Sequence, residues 1–199
     1  AWFDEDGPLS EYSGALDHNS DGWEAYDHAH DVFTYYALTL GLCSYDGDDA
    51  EVEMVTHAAI ANASASGYCG TMQFRDDFTT LDIVAHEFTH LVDYNHEDLE
   101  YVGQSGALDE SFADVMACMI DRNWTIGEGL DGGAIRDLSD PTLHQDPDHF
   151  SQYISGGDVH DNSGIPNKAA YLVTAGGQHN GYAIQGIGWS KAEKLYHFA

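Results

Sequence analysis

"VAHEFTHLVDY", running from Val84 to Tyr94, sets His86 and His90 four positions apart with Glu87 beside the first. Widened to Leu81–Asn95, the segment carries Leu81, Val84, Ala85, Phe88, Leu91 and Val92 at the spacing of one apolar helix stripe. Residues four apart on a helix lie one turn apart on the same face, so the two imidazoles can grip one metal ion. Glu87 is one step round the helix from His86 and can reach a water held there without being a ligand. This is the H-E-x-x-H pattern, whose mechanical meaning is zinc plus a glutamate base. Taken alone, the pattern also suits two solvated histidines on an exposed face.

A second helix changes that balance. Zinc takes four ligands, and a catalytic site keeps one position for water. "GALDESFADV" (106–115) places Glu110 and Asp114 one turn apart on one helix face. Glu110 can be the third ligand. Asp114 can accept a hydrogen bond from a ligand imidazole and so hold its tautomer and orientation. Its neighbours Phe112, Ala113, Val115 and Met116 mark the segment as buried, where an unpaired aspartate would be costly.

The charge balance bears on partners. The 199 residues hold 35 acidic against 6 basic side chains, a net charge of −29. Such a surface repels nucleic acid and anionic membranes, so neither is an expected partner. The acid excess suits a surface kept soluble in high salt or a set of bound cations. Four Trp, twelve Tyr and eight Phe spread along the chain argue against disorder. No apolar run approaches the ~20 residues of a membrane span. With no signal peptide visible at Ala1, a mature or trimmed chain is expected. Cys43 and Cys69 lie in Gly-rich polar surroundings and could form one disulfide, whereas Cys118, in "DVMACMI", reads as a buried free thiol. That usage suits an exported protein.

Along the chain, residues 1–22 read as acidic loop and turn, and "WEAYDHAHDVFTYYALTL" (23–40) as an amphipathic helix. "EVEMVTHAAI" and "GTMQFRD" alternate as strands, with the turn cluster "SYDGDDA" before them. Helical patterns follow over Leu81–Asn95, Ala107–Ile120 and Pro166–Ala175, the last with proline in its first turn. The expected fold is α+β. Residues 1–96 would form an N-terminal α+β lobe ending in the histidine helix, and residues 97–199 a mainly helical lobe.

Four motifs in order, "HEFTH", "GALDESFADV", "GGAIRDLSDP" and "DVHDNSGIPNKAAYLV", resemble the thermolysin family of zinc endopeptidases, with Glu110 twenty residues after His90. The similarity runs from about Tyr26 to Phe198. It implies that His86, His90 and Glu110 bind one catalytic Zn²⁺ and that Glu87 is the general base. Tyr101, in "LEYVGQSGALDE", and His160 match family residues that donate hydrogen bonds to the developing oxyanion. Arg136 matches an arginine that orients the substrate carbonyl. Phe78, Ile83 and Ile135 would line an apolar pocket, implying cleavage of proteins or peptides on the amino side of bulky hydrophobic residues. Asn62 and Ala63 fall where the family binds substrate backbone. Asp82, Asp121, Asn123 and Glu128 correspond to positions that bind structural Ca²⁺ near the zinc, and oxygen ligands of this kind suit calcium. "SYDGDDAE" could be another calcium loop. The resemblance also implies a secreted, extracellular protein.

Several positions depart from the family pattern. Asp109 replaces the usual Asn before the zinc glutamate. The stretches Met72–His86 and Asp121–Trp124 are short, which leaves one calcium more plausible than two. Ser155 stands where an aspartate usually orients the oxyanion histidine, and Asp158, two residues before His160, could substitute for it. Further helices normally follow "GIGWSKAEKLYHF", so a second chain or a missing C-terminal segment could complete the cleft. Two alternatives to a working peptidase follow: a metal-binding relative without turnover, and an acidic calcium-holding binding module.

Overall fold

The computed structural model describes residues 21–96 and 99–197. Helix α1 (Asp21–Tyr35) leads through a π-helical turn, Tyr36–Leu40, into three short strands, β1 (Glu53–Val55), β2 (Ala63–Ser66) and β3 (Thr71–Phe74). Helices α2 (Leu81–His96) and α3 (Gly103–Asp121) follow. Then come a two-stranded ribbon, β4 (Thr125–Ile126) with β5 (Arg136–Asp137), and two 3₁₀ turns, Pro141–His144 and Phe150–Gln152. The chain continues through α4 (Val159–Asn162), α5 (Gly164–Ala175), the hairpin β6 (Gly177–His179) and β7 (Tyr182–Ile184), and α6 (Trp189–His197). The fold is α+β.

Helix α2 is the axis of the molecule. Its sequence has no Gly or Pro, and Asp82 sits in the first turn, where a carboxylate meets the positive end of the helix dipole. The expected apolar stripe is buried except for half-buried Leu81, but Asp82, His86, Glu87, Thr89 and Asp93 are buried as well. Helix α1 covers one side, with Phe33 and Tyr36 edge-on to Phe88 at 4.7 and 5.1 Å. Tyr36 and Thr89 share a buried hydrogen bond of 2.8 Å. Helix α3 covers the other side. Behind α3, α5 and α6 close the core through Ala170 and Ala192, and Trp189 stacks on Trp124 at 4.4 Å.

The small sheet has the order β1-β3-β2, with β1 parallel and β2 antiparallel to β3. Strand β2 is therefore an edge, and it borders the cleft described below.

Several expectations are modified. The helix expected to Leu40 switches to π winding at Tyr36 and stops at Gly41, whose φ of 75° suits glycine. Strand β1 covers three residues of the expected ten-residue stretch. Helix α3 begins four residues before the expected Ala107. Helix α5 begins at Gly164, so Pro166 still lies in its first turn. Of the expected 1–22 loop, Asp21 and Gly22 open α1, and the rest lies outside the described residues. Cys43 and Cys69 are exposed free thiols, not a disulfide, and Cys118 is buried. Among the described residues no helix is long and apolar enough to cross a membrane.

Candidate active site and metal centre

The first pair of ligand candidates comes from α2 and the third from α3. His86 Nε2 and His90 Nε2 are 3.0 Å apart. Glu110 Oε2 lies 3.4 Å from the first nitrogen, and Oε1 lies 3.5 Å from the second. A tetrahedron with zinc–ligand bonds of ~2.0–2.1 Å has edges of about 3.3 Å, so this donor set fits one zinc ion. Glu110 Oε2 is buried without a hydrogen-bond partner, the condition of a ligand atom awaiting a cation. Burial opposes charging of the imidazoles, but the carboxylates beside them outweigh it and raise the pKa of both His86 and His90. Burial likewise opposes ionisation of Glu110, yet the two imidazoles hold its carboxyl well below the usual range. The pocket is an anionic cage that stabilises positive charge.

The outer ring nitrogens also face carboxylates. His86 Nδ1 lies 2.9 Å from Asp114 Oδ1. Asp114 is fully buried and is clamped by Arg136, whose Nε donates at 2.8 Å and Nη2 at 2.6 Å. Asn167 Nδ2 donates to the same carboxylate at 2.8 Å. Burial pushes Asp114 up, but Arg136 and His86 together lower it to about 2. Arg136 thus spends two donors on Asp114, a role the sequence did not indicate. His90 Nδ1 lies 2.7 Å from Asp109 Oδ1.

Tyr101 and His160 stand at the mouth. The Tyr101 hydroxyl donates to Glu110 Oε1 and lies 3.4 Å from His160 Nε2. His160 Nε2 is 3.3 Å from Glu110 Oε1, while its Nδ1 faces Asp158 Oδ1 at 2.8 Å. Asp158 also caps α4, accepting from the His160 backbone N–H at 2.9 Å. That backbone hydrogen bond, then the His160 ring, lower the Asp158 pKa.

A cleft of about 420 Å³ opens over these groups. Its lining brings together His86, Glu87, His90, Tyr101, Glu110, Arg136 and His160 with the expected substrate residues Asn62, Ala63, Phe78, Ile83 and Ile135. Glu87 is 6 % exposed, and burial pushes its carboxyl up against the partial opposition of His86 and His90. Gly67, Asp93, Tyr94 and Leu99 also line the cleft, and the sequence did not flag them. Asp109 stood out only as an acid beside an acid. The signal that could have found its role is the one that found Asp114: a carboxylate within a run of buried helix residues.

The calcium candidates lie apart from this centre. Asp82 Oδ1 accepts from Thr80 Oγ1 at 2.5 Å and from Ile83 N–H at 2.9 Å, and its Oδ2 accepts from Gly127 N–H. The Asn123 amide bridges Asp121 and Glu128, and Thr125 Oγ1 donates to Glu128 at 2.9 Å. Burial, then the charges of Asp114, Asp82, Glu128 and Asp121, raise the Cys118 pKa. Among the described residues, the groups of three metal-ligating side chains within 4.8 Å are His86/His90/Glu110 and Asp21/His57/Asp76.

Residues 8–93 match the family model of the thermolysin metallopeptidase catalytic domain, and residues 97–199 match that of the thermolysin metallopeptidase alpha-helical domain. Bacillolysin of Brevibacillus brevis is 39 % identical over 194 residues, covering 88 % of this chain and 37 % of the relative. Neutral protease B of Bacillus subtilis (strain 168) is also 39 % identical over 194 residues, covering 88 % and 36 %. Thermolysin of Alicyclobacillus acidocaldarius is 37 % identical over 199 residues, covering 88 % and 36 %. Among solved structures, the precursor of protealysin, a metalloproteinase from Serratia proteamaculans, superposes with a TM-score of 0.70 at 28 % identity. That match covers 81 % of this chain and 61 % of the other. The chain spans little more than a third of the length of these curated relatives.

Proposed function

Since the chain belongs to the thermolysin family of metallopeptidases, we propose that it is a zinc-dependent endopeptidase acting on proteins or peptides outside the cell. One observation carries this reading: three candidate ligand side chains at spacings that suit one zinc ion open onto a cleft that also holds a buried carboxyl, Glu87. His86, His90 and Glu110 would hold the ion. Bound there, zinc supplies Lewis acidity toward a peptide carbonyl and toward water.

The chain's own residues do the rest. Glu87, whose carboxyl burial pushes up, is a stronger base than a solvated glutamate. It takes a proton from the attacking water and gives it to the departing amine. Tyr101 and His160 stand where their O–H and N–H can turn from Glu110 to the oxyanion, each donor contributing ~3 kcal/mol in comparable sites. Asp158 holds the His160 ring for this. Phe78, Ile83 and Ile135 give the cleft an apolar wall that favours a bulky hydrophobic residue after the cut bond. Asn62 and Ala63, at the free edge of the sheet, are placed to pair with substrate backbone.

The test is Glu87→Gln in the zinc-loaded protein. Cleavage of a casein-type substrate should fall by ~10²–10⁴-fold while bound zinc stays at wild-type content. Unchanged cleavage would remove Glu87 as the base, and cleavage insensitive to a strong chelator would remove the metal.

Asp82, Asp121 and Glu128, with Asn123, are in this reading a calcium site. Asn123 joins the carboxylates of Asp121 and Glu128, and oxygen ligands of this kind suit a divalent cation. Withdrawal of calcium from a solution at a hundredfold over Kd should lower Tm by ~5–10 °C. A Tm that does not move excludes the site.

A second reading rests on an apolar groove next to the cleft, sharing Asp93 and Leu99 with it. Leu40, Leu108, Phe112 and Tyr196 line this groove, and Leu195 on α6 is half exposed. In that reading a further segment or a second chain fills the groove, and turnover depends on it. Zinc uptake without cleavage by this chain alone would favour it.

A further inference from the structure

One stripe of α2 floors the cleft. Ile83, Glu87, His90 and Tyr94 recur at helical spacing along one face, and all four line the cavity. The metal centre occupies the middle of that stripe. Ile83 lies before it, in the apolar wall assigned above to the residue after the cut bond. Tyr94 lies beyond it, four residues past His90 and ~6 Å further along the helix axis. Ile83 is buried, but Tyr94 is 46 % exposed. The Tyr94 ring lies against Gly67, just past the end of edge strand β2. Ser64 and Ala65 on that edge are small and also line the cleft, which leaves the ring open to a substrate. Asp93 flanks Tyr94 and sits seven residues after His86, on the same side of the helix. It lines the cleft and is 4 % exposed. The other acids of the lining already have duties: Glu87 as base, Glu110 as ligand, and Asp109 opposite His90. Arg136 is the one lysine or arginine among the lining residues, and Asp114 holds it. The Tyr94 end thus combines an aromatic face with a carboxylate, in a lining whose acids outnumber its one guanidinium.

We propose that Tyr94 and Asp93 form a subsite for a basic side chain, arginine or lysine, at the second residue before the cut bond. The cation lies over the Tyr94 ring and its head group pairs with Asp93. This rests on the peptidase reading above. In an extended substrate, side chains alternate and residues two apart point the same way. The second residue before the cut therefore faces the same floor as the residue after it, but toward the Tyr94 end. A long side chain is needed there to reach past His90. A ring face attracts a cation, and a carboxylate shielded from water pairs with one more strongly than an exposed carboxylate does.

The experiment uses the zinc-loaded full chain and quenched fluorescent peptides that share leucine after the cut bond, with the cut position read by mass spectrometry. The peptides differ at the second residue before the cut, which is arginine, norleucine or glutamate. In wild type, kcat/KM should be ~10-fold or more higher for arginine than for norleucine, and lowest for glutamate. Asp93→Asn should bring the arginine-to-norleucine ratio close to one. Tyr94→Ala should lower that ratio, and Tyr94→Phe should keep it, because the ring face is retained. A further peptide carries its arginine well away from the cut and reports the general pull of the −29 surface. It should gain ~twofold at most. Equal rates for arginine and norleucine in wild type, the same gain wherever the arginine stands, or an undiminished ratio in Asp93→Asn would each overturn the subsite. The first two comparisons use wild type alone, so they hold even if a variant does not fold. A zinc-loaded chain that cleaves none of the peptides would instead bring down the peptidase reading, and this inference with it.

Discussion

Asp146 shows how the acid excess acts on a single side chain. Burial, then the charge of Asp161, raise its pKa from 3.8 to about 6, with Arg136 only partly offsetting them. The folded state therefore holds a proton at Asp146 between about pH 4 and 6 that the unfolded chain has released. Stability falls as pH rises through that window, because the folded state binds more protons there. Asp146→Asn should flatten this dependence and stabilise the protein at pH 7 by about 1 kcal/mol, a value discounted for partial exposure. Thermal unfolding at pH 4 and pH 7 checks it, and equal gains at both would refute it. At this scale the sequence is readable where spacing on one helix does the work, as with His86, Glu87 and His90 or Glu110 and Asp114. It is silent where packing chooses the partner. Nothing in the order of residues says that Arg136 spends itself on Asp114, twenty-two positions earlier, or that Asp109 faces His90.

Among the elements, α2 is the most legible, because its apolar stripe repeats at helical period. The pattern nonetheless understates its burial: a reading by hydrophobicity leaves out Asp82, Glu87 and Asp93, polar residues kept inside. Local rules fail in this way where function asks for buried charge. Strand β2 is the least legible. "ASAS" has no β-branched or large apolar residue, and its extended form comes from pairing with β3. Just beyond it, Gly67 lets the edge strand lie against the Tyr94 ring of α2. A methyl group added there would overlap Cβ and Cγ of Tyr94, near the root of that side chain, so rotation cannot clear it. Gly67→Ala should cost ~1–3 kcal/mol and lower Tm by a few degrees. A melting curve identical to wild type would show that the strand and helix part without penalty.

For the molecule as a whole, a net charge of −29 over 199 residues means that the compact state works against its own repulsion. The cationic side chains offer little relief where they are engaged locally, as with Arg122 on Glu193 and Arg136 on Asp114. Raising ionic strength from 0.05 to 1 M shortens the Debye length from more than 10 Å to about 3 Å and should raise Tm. A fall in Tm would mean that specific ion pairs outweigh the repulsion. This global term was readable from composition alone, since it depends on how many charges there are and little on their arrangement. Two of the three ligand candidates lie before residue 97 and the third after it, so the ion would rivet together the proposed halves, 1–96 and 97–199. Made as separate polypeptides, the halves would still share the long seam between α2 and α3, and zinc would set how firmly they reassemble, turning the proposed metal centre into the latch of a split protein.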